Sequence, residues 1–259
     1  MYRQQYPYLY ETHMHTNMGS ACAWNTPEEM ALAAKKAGYA GIFITEHNWR
    51  GNSCIDRSIP WPQWIDRMAQ SYYTAKKVGD EIGLSVFFAY EAGFFDLPTH
   101  GAEFLIYGLT PEWLKAHPEL KDLDAAEHLS LVRGAGAMAV HAHPFRRAFY
   151  IPKVHLLPEH IDAVEGINAS HSNSRYGAEK ASCDADAIAY ARQYDFPLTA
   201  GSDIHNSDLL GGGVAFKRPI ASVDDYGRAI LGGEDYILTN GEAVYDRQGN
   251  LLPGKADWS

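Results

Sequence analysis

Short apolar runs alternate with amphipathic segments along the chain, and this pattern predicts a sheet whose strands are separated by helices. Seven runs rich in aliphatic and aromatic residues are predicted strands: residues 8–16, 39–45, 84–90, 103–107, 137–142, 163–169 and 196–200. Several are apolar at nearly every position, which is typical of strands buried on both faces. A further short strand is predicted near residues 236–239.

The segments between these runs show helical periodicity and capping signals, which predict helices. Thr26, Pro27 and Glu29 form an N-cap, a first-turn proline and a capping box, and Gly38 is a natural end for that helix. Further helices are predicted at about residues 61–82, 111–120, 124–132, 178–194 and 223–231. The alternation predicts one domain over residues 1–259, an α/β barrel of seven strands, with an open doubly wound sheet as the alternative.

Histidines and carboxylates stand where the predicted strands end. His13 and His15 lie at the end of the first run, and the period of two places both on one face. Similar residues close four later runs: Glu46 and His47, Glu91, His141 and His143, and Asp203 and His205. Core packing does not explain ligand-type residues at five strand ends. The pattern therefore predicts a multinuclear metal site, and imidazole with carboxylate ligands favours zinc, manganese or iron.

Composition narrows the classes of function. A hydrophobic fraction of 46% over 259 residues is sufficient for a sizeable core. The net charge of −10 argues against stable nucleic-acid binding, although bound cations would still admit an anionic substrate. Three scattered cysteines give no disulfide framework, and no apolar run is long enough to cross a membrane. The first motif begins at Glu11, so we expect a cytoplasmic protein with no signal peptide. The oligomeric state stays open.

The order of these motifs resembles the PHP (polymerase and histidinol phosphatase) family. The chain carries an HxHT motif at residues 13–16, Glu46-His47, Glu91, His143-Pro144 and a terminal SDxH motif at residues 202–205. The resemblance covers residues 10–206 and implies a distorted seven-stranded, TIM-like β/α barrel. It also implies two to three divalent metal ions and a metal-dependent phosphoesterase acting on a small phosphorylated substrate.

The resemblance implies a role for each motif residue. His13, His15 and Asp203 would hold one ion, and Glu91 would bridge it to a second ion bound by His143. His47 and His205 would serve a third ion. Glu91, Asp203 and His205 would also take part in catalysis, with Asp203 or His205 moving protons.

Two positions depart from the family pattern. Relatives carry a histidine at the opening of the fourth strand, where this chain has Glu103; we favour Glu103 over nearby His100 as the replacement ligand. Relatives also place an aspartate after the HxHT motif, but residues 17–22 hold no carboxylate. We therefore expect a third ion position that is weak or empty, unless Glu46 or Cys22 supplies a ligand.

Residues outside the motifs complete the predicted site. Arg146 could clamp an anion because its guanidinium matches phosphate, and His171 and Arg175 could also face the substrate. His141 and Glu11 could support the ligands, and Cys22 is interpreted as a small buried residue. Two further interpretations remain open: an amidohydrolase-like enzyme that cleaves a non-phosphate ester or amide, and a degenerate, non-catalytic metal-binding barrel.

Overall fold

The computed structural model describes residues 2–95, 101–176 and 180–258, and the strands within them form one mixed, curled sheet. Its eleven described strands are β1 (Tyr8–Met14), β2 (Gly41–His47), β3 (Ser85–Phe94), β4 (Ala102–Tyr107), β5 (Met138–Ala142), β6 (Ala163–Asn168), β7 (Leu198–Gly201), β8 (Gly213–Phe216), β9 (Tyr236–Thr239), β10 (Val244–Asp246) and β11 (Leu251–Leu252). The order across the sheet is β11-β10-β9-β8-β1-β2-β3-β4-β5-β6-β7.

The prediction of a seven-stranded barrel is wrong. β1 hydrogen-bonds to β2 on one side and to antiparallel β8 on the other, so its second edge is taken by a strand that the prediction left out. β8, β9, β10 and β11 then continue as an antiparallel extension. The seven predicted strand positions are all strands, but they belong to a larger open sheet.

β4 is reversed relative to its neighbours, and this reversal places Glu103. The strand pairs antiparallel with both β3 and β5, while β2 and β3 are parallel, as are β5 and β6. Only seven residues separate β3 from β4, too few for the crossover that a parallel connection needs. The beginning of β4 therefore lies beside the carboxyl end of β5, with Glu103 opposite Ala142.

The helices largely follow the sequence signals. The eight described α-helices are α1 (Tyr2–Gln5), α2 (Pro27–Lys36), α3 (Trp61–Ile82), α4 (Pro111–Ala116), α5 (Ala125–Gly134), α6 (Ala169–Ser172), α7 (Ala181–Tyr194) and α8 (Val223–Leu231). The capping box of Thr26 and Glu29 is confirmed, and α3 ends at Gly83 in the left-handed conformation. None of the helices described here combines the length and apolar character needed to cross a membrane.

The segment after β7 returns to β1 and brings the two regions of the sheet together. The backbone amide of His15 donates to the carbonyl of Ile204 at 3.0 Å, and that of Ile204 donates to the carbonyl of His13 at 3.2 Å. Gly212 and Gly213 allow the chain to enter β8, because a β-carbon at either position would collide with the backbone of Gly201 or Tyr10. The carboxyl ends of β1 and β7 thus share one rim.

Candidate metal centre

The rim formed by the carboxyl ends of β1, β2, β3, β5 and β7 and the start of β4 gathers the eight predicted metal ligands. Seven of these side chains are buried: His13, His15, His47, Glu91, Glu103, His143 and Asp203. The side chain of His205 keeps 28% exposure. The alternative ligand His100 lies outside the described residues.

Contacts at the second ring nitrogen, Nδ1, fix the orientations of His13 and His15. Nδ1 of His13 lies 2.9 Å from Oε1 of Glu165, and Nδ1 of His15 lies 3.0 Å from Oγ of Ser20. The Ser20 hydroxyl in turn donates to Glu46 at 2.5 Å. Because both Nδ1 atoms are engaged, the Nε2 atoms are left to face each other across the site. Metal-binding histidines are commonly oriented in this way.

The Nε2 atoms of His13 and His15 and two carboxylates have the spacing of ligands around one ion. The two nitrogens are 3.2 Å apart. His13 Nε2 lies 3.3 Å from Glu91 and 3.5 Å from Asp203, and His15 Nε2 lies 3.4 Å from each. Two nitrogens bound to a tetrahedral zinc ion at its usual bond length are about 3.3 Å apart. Two imidazole nitrogens and two carboxylates at these distances fit the ligands of one metal ion.

Glu91 connects this group to a second group of ligands. Its Oε1 lies 3.2 Å from Nε2 of His143, and its Oε2 lies 2.9 Å from Nδ1 of His47. Glu103 completes the second group, with Oε2 3.8 Å from Nε2 of His143. Glu91 therefore touches four imidazoles and occupies the position that a bridging carboxylate requires.

His143 and Asp203 share an uncommon backbone conformation at the ends of their strands. Their φ angles are +29° and +51°, in the left-handed region where residues other than glycine are uncommon. The backbone amide of His143 is held by a 3.0 Å bond to Oε2 of Glu165. Such conformations are kept where the surrounding contacts enforce them, and they turn both side chains toward the rim.

A cavity of about 580 Å³ opens onto this rim. It is lined by Cys22, His47, Gly51, Asn52, Phe95, Glu103, Arg146, Tyr150, Asp203 and His205. The guanidinium of Arg146 contacts the carboxylate of Asp203 and lies 3.8 Å from Glu103. The cavity therefore offers carboxylates, imidazoles and one guanidinium to a small polar molecule.

Buried negative charge dominates the electrostatics of the rim. Burial opposes ionisation of Glu91, yet His13, His143 and His47 hold its pKa well below the usual value. Burial favours the neutral ring of His13, but Glu165 and Glu91 outweigh it and raise the pKa of His13 to about 10. Burial, followed by the charge of Glu91, raises the pKa of Glu103 to about 7. In the metal-free chain a proton on His13 thus supplies positive charge that a metal ion would replace.

We expect manganese binding at pH 8 to release at least one proton per chain. The usual histidine pKa is 6.5 and that of His13 is raised to about 10, so the ring is protonated at pH 8 and must lose its proton to become a ligand. Calorimetry in two buffers of different ionisation enthalpy measures this release. Manganese is the metal chosen because it does not favour thiolates. Binding that releases no proton at pH 8 contradicts the expectation.

Two of the predicted substrate-binding residues lie beside the rim but have structural partners. His171 is buried, with Nδ1 3.1 Å from Asp184, and its ring centre is 6.1 Å from that of His143. Arg175 donates to the carbonyl groups of Asp208 and Leu210. The substrate contacts of both residues stay predictions, whereas Arg146 lines the cavity itself.

Two carboxylates near the motifs, Glu11 and Glu46, support the rim from behind, whereas His141 does not. Glu11 accepts bonds from the amides of His13 and Ser202 at 3.0 and 2.8 Å. Glu46 accepts bonds from Thr16 and Ser20 and so braces the loop after β1. The ring of His141 instead packs against Phe104, with centres 4.6 Å apart, because His143 departs from the extended conformation that would align the two histidines.

Glu165 is the main residue of the site that the sequence reasoning missed. Its two oxygens bind Nδ1 of His13 and the amide of His143, and Oε2 also accepts a bond from Asn168. It lies within β6 and is fully buried. A carboxylate in the otherwise apolar run 163–167 was the available signal, because an unpaired buried charge in a strand is costly.

A family model supports the resemblance in the C-terminal part of the chain. The model described as PHP-associated matches residues 185–234, which extend from within α7 to just beyond α8 and include Asp203 and His205. The search of curated proteins found no match.

Solved structures share the fold at low sequence identity. A two-domain protein from Bacteroides vulgatus containing a "predicted PHP-like metal-dependent phosphoesterase" is 15% identical, with a TM-score of 0.61; the match covers 93% of this chain and 65% of that protein. A protein from Bifidobacterium adolescentis, provisionally described as a metal-dependent phosphoesterase, is 16% identical with a TM-score of 0.52, covering 86% and 95% of the two chains. PsfC from Pseudomonas syringae is 17% identical with a TM-score of 0.52, covering 95% and 91%. The chain is thus similar to a PHP-associated model over residues 185–234, and it shares its fold with these solved structures.

Proposed function

We propose that this protein is a metal-dependent hydrolase, and specifically a phosphoesterase that acts on a small phosphate ester. The observation that carries the proposal is the spacing of the Nε2 atoms of His13 and His15, which lie 3.2 Å from each other and 3.3–3.5 Å from the carboxylates of Glu91 and Asp203. The names of two structural neighbours support the same reaction class.

The residues divide into two sets that fit divalent ions. His13, His15 and Asp203 would hold one ion, His143 and Glu103 a second, and Glu91 would bind both. When bound, such ions polarise a phosphoryl oxygen and provide a water nucleophile near neutral pH. Zinc, manganese and iron all suit nitrogen and oxygen ligands.

Arg146 supports a phosphate ester as the substrate class. Its guanidinium is partly exposed in the cavity and touches Asp203, so a substrate oxygen beside the metal ligands is within its reach. A planar guanidinium matches two phosphate oxygens and offsets their charge in a chain with a net charge of −10. The cavity volume of about 580 Å³ is suited to a small molecule.

His205 presents a second polar group to the same cavity. Its Nδ1 lies 2.9 Å from the carbonyl oxygen of Asp203, which can only accept a hydrogen bond. Nδ1 therefore carries the proton, and Nε2 keeps its lone pair. Burial and the charges of His47 and Arg146 lower the pKa of His205 to about 3, so the ring is neutral at physiological pH. Nε2 is therefore available to bind an ion or to accept a hydrogen bond.

The proposal is tested by hydrolysis of a panel of phosphomonoesters with protein loaded with manganese or zinc. We expect turnover that chelation abolishes and that re-addition of metal restores. A parallel panel of carboxylic esters and amides examines the amidohydrolase-like alternative. Equal phosphatase rates in loaded and chelated protein, or turnover of amides alone, would overturn the phosphoesterase proposal.

A further inference from the structure

Cys22 lies against a predicted metal ligand at the mouth of the site. Its Sγ is 3.3 Å from Nε2 of His47, and Cys22, His47 and His205 all line the cavity at the rim. Cys22 belongs to the segment after β1 that lacks a carboxylate. The segment therefore does bring a potential ligand to the site, but the ligand atom is sulfur rather than oxygen.

Backbone contacts on both sides of Cys22 fix its position. The amide of Ala21 donates to the carbonyl of Asn52 at 2.9 Å, and the amide of Trp24 donates to the carbonyl of His205 at 2.9 Å. The second bond joins the cysteine loop directly to the segment that carries His205. Cys22 is thus held between the His47 and His205 sides of the cavity.

Three histidines cluster beside Cys22, and two of them, His47 and His205, belong to neither of the two ligand sets proposed above. His15, His47 and His205 each present a ligand nitrogen within 4.8 Å of the others. The ring of His15 stacks on that of His47 at 4.3 Å and on that of His205 at 4.7 Å. This imidazole cluster is an observation independent of the cysteine.

The two ring nitrogens of His47 face different partners, and Nε2 is the one on the side of Cys22. Its Nδ1 lies 2.9 Å from Oε2 of Glu91, and the carboxylate favours a proton on that nitrogen. Nε2 is then the nitrogen that faces Cys22 and that would bind a metal ion. A histidine whose second nitrogen faces a carboxylate is the usual arrangement in zinc sites.

We propose that Cys22, as a thiolate, joins His47 and His205 in binding an additional, thiophilic metal ion at the mouth of the cavity. A sulfur and a nitrogen on one tetrahedral zinc ion are about 3.5 Å apart, close to the observed 3.3 Å. The thiol proton is released to solvent when the ion binds. A thiolate selects zinc or cobalt over manganese or magnesium. This inference rests on the proposed metal-dependent function, and it replaces the expectation of a weak third position.

The test uses the full chain, stripped of metal and titrated with cobalt(II) while the absorption spectrum is recorded. We expect visible bands from the nitrogen and oxygen sites and, at the last equivalent, a near-ultraviolet band for charge transfer from sulfur to cobalt. Cys22→Ser should lose the near-ultraviolet band and bind one ion fewer, while the visible bands remain. Cys54→Ser is the matched control and should keep the band, because Cys54 lies on the exposed loop and contacts backbone carbonyl groups.

A second measurement does not depend on cobalt or on the folding of a variant. Zinc should slow alkylation of Cys22 in the wild-type protein, because a metal-bound thiolate is withheld from the reagent, and it should leave alkylation of Cys54 unchanged. In the cobalt titration, Cys22→Asp should restore the equivalent of metal that Cys22→Ser loses, but without the charge-transfer band, because the ligand atom is then oxygen. A wild-type protein that binds two ions but shows neither the band nor protection of Cys22 would overturn this inference alone. A wild-type protein that binds no metal would overturn the proposed function as well.

Discussion

Replacement of Glu91 by glutamine is expected to lower metal-dependent phosphatase activity by on the order of a thousandfold, which is the scale of losing one central electrostatic contact. Glu91 is buried and contacts His13, His15, His47 and His143 at 2.9–3.4 Å. Glutamine preserves the volume but removes the charge that both ions would share. The measurement is kcat/KM for the best phosphomonoester, together with the metal content of the purified variant.

Two further variants separate this effect from a general loss of structure. Glu112→Gln removes an exposed carboxylate at the first turn of α4 and should leave kcat/KM and metal content unchanged. Glu103→Gln removes a carboxylate from one side of the site, so we expect a smaller loss than for Glu91. If Glu91→Gln keeps the wild-type rate with metal bound, the shared carboxylate is not needed and another group must activate the nucleophile.

The sequence predicted the position of each rim strand but not the connectivity of the sheet. An apolar run indicates that a strand is buried, but it does not indicate whether the strand is parallel or antiparallel to its neighbours. The information on direction was in the loop lengths, since the short connection before Glu103 requires a reversal of the chain. The short strands β8, β10 and β11 have only two to four residues each, so their periodicity is too brief to recognise.

The predicted ligands come together although the predicted barrel is wrong, because their meeting depends on the direction of the strands and not on closure of the sheet. Strands β1, β2, β3, β5, β6 and β7 run in one direction whether the sheet is open or closed, so their carboxyl ends share a rim. The supporting residues were harder to foresee. Ser20 and Glu165 act through His15 and His13 across 5 and 152 residues of sequence, and such contacts depend on the folded geometry alone.

Substitution of Glu165 by glutamine is expected to weaken metal binding by about 10–100-fold, which is the usual effect of losing a contact behind a metal-binding histidine. One oxygen of Glu165 faces Nδ1 of His13, and the other accepts bonds from the amide of His143 and the side chain of Asn168. Glutamine replaces one acceptor with a donor, so one of these contacts must break. Glutamine also removes a charge that raises the pKa of His13.

The measurement for Glu165→Gln is the rise in thermal stability on addition of zinc, compared with that of the wild type. A 10–100-fold loss of affinity at a fixed zinc concentration reduces the metal-linked stabilisation by about 1.4–2.7 kcal/mol. The matched control is Asp162→Asn, just before the opposite end of β6, where Asp162 pairs with Arg133 at 2.8 Å. The control should lower the melting temperature equally with and without zinc, because it breaks a contact remote from the rim. If Glu165→Gln behaves like this control, Glu165 stabilises the fold without positioning His13, and the orientation of His13 must come from β1 itself.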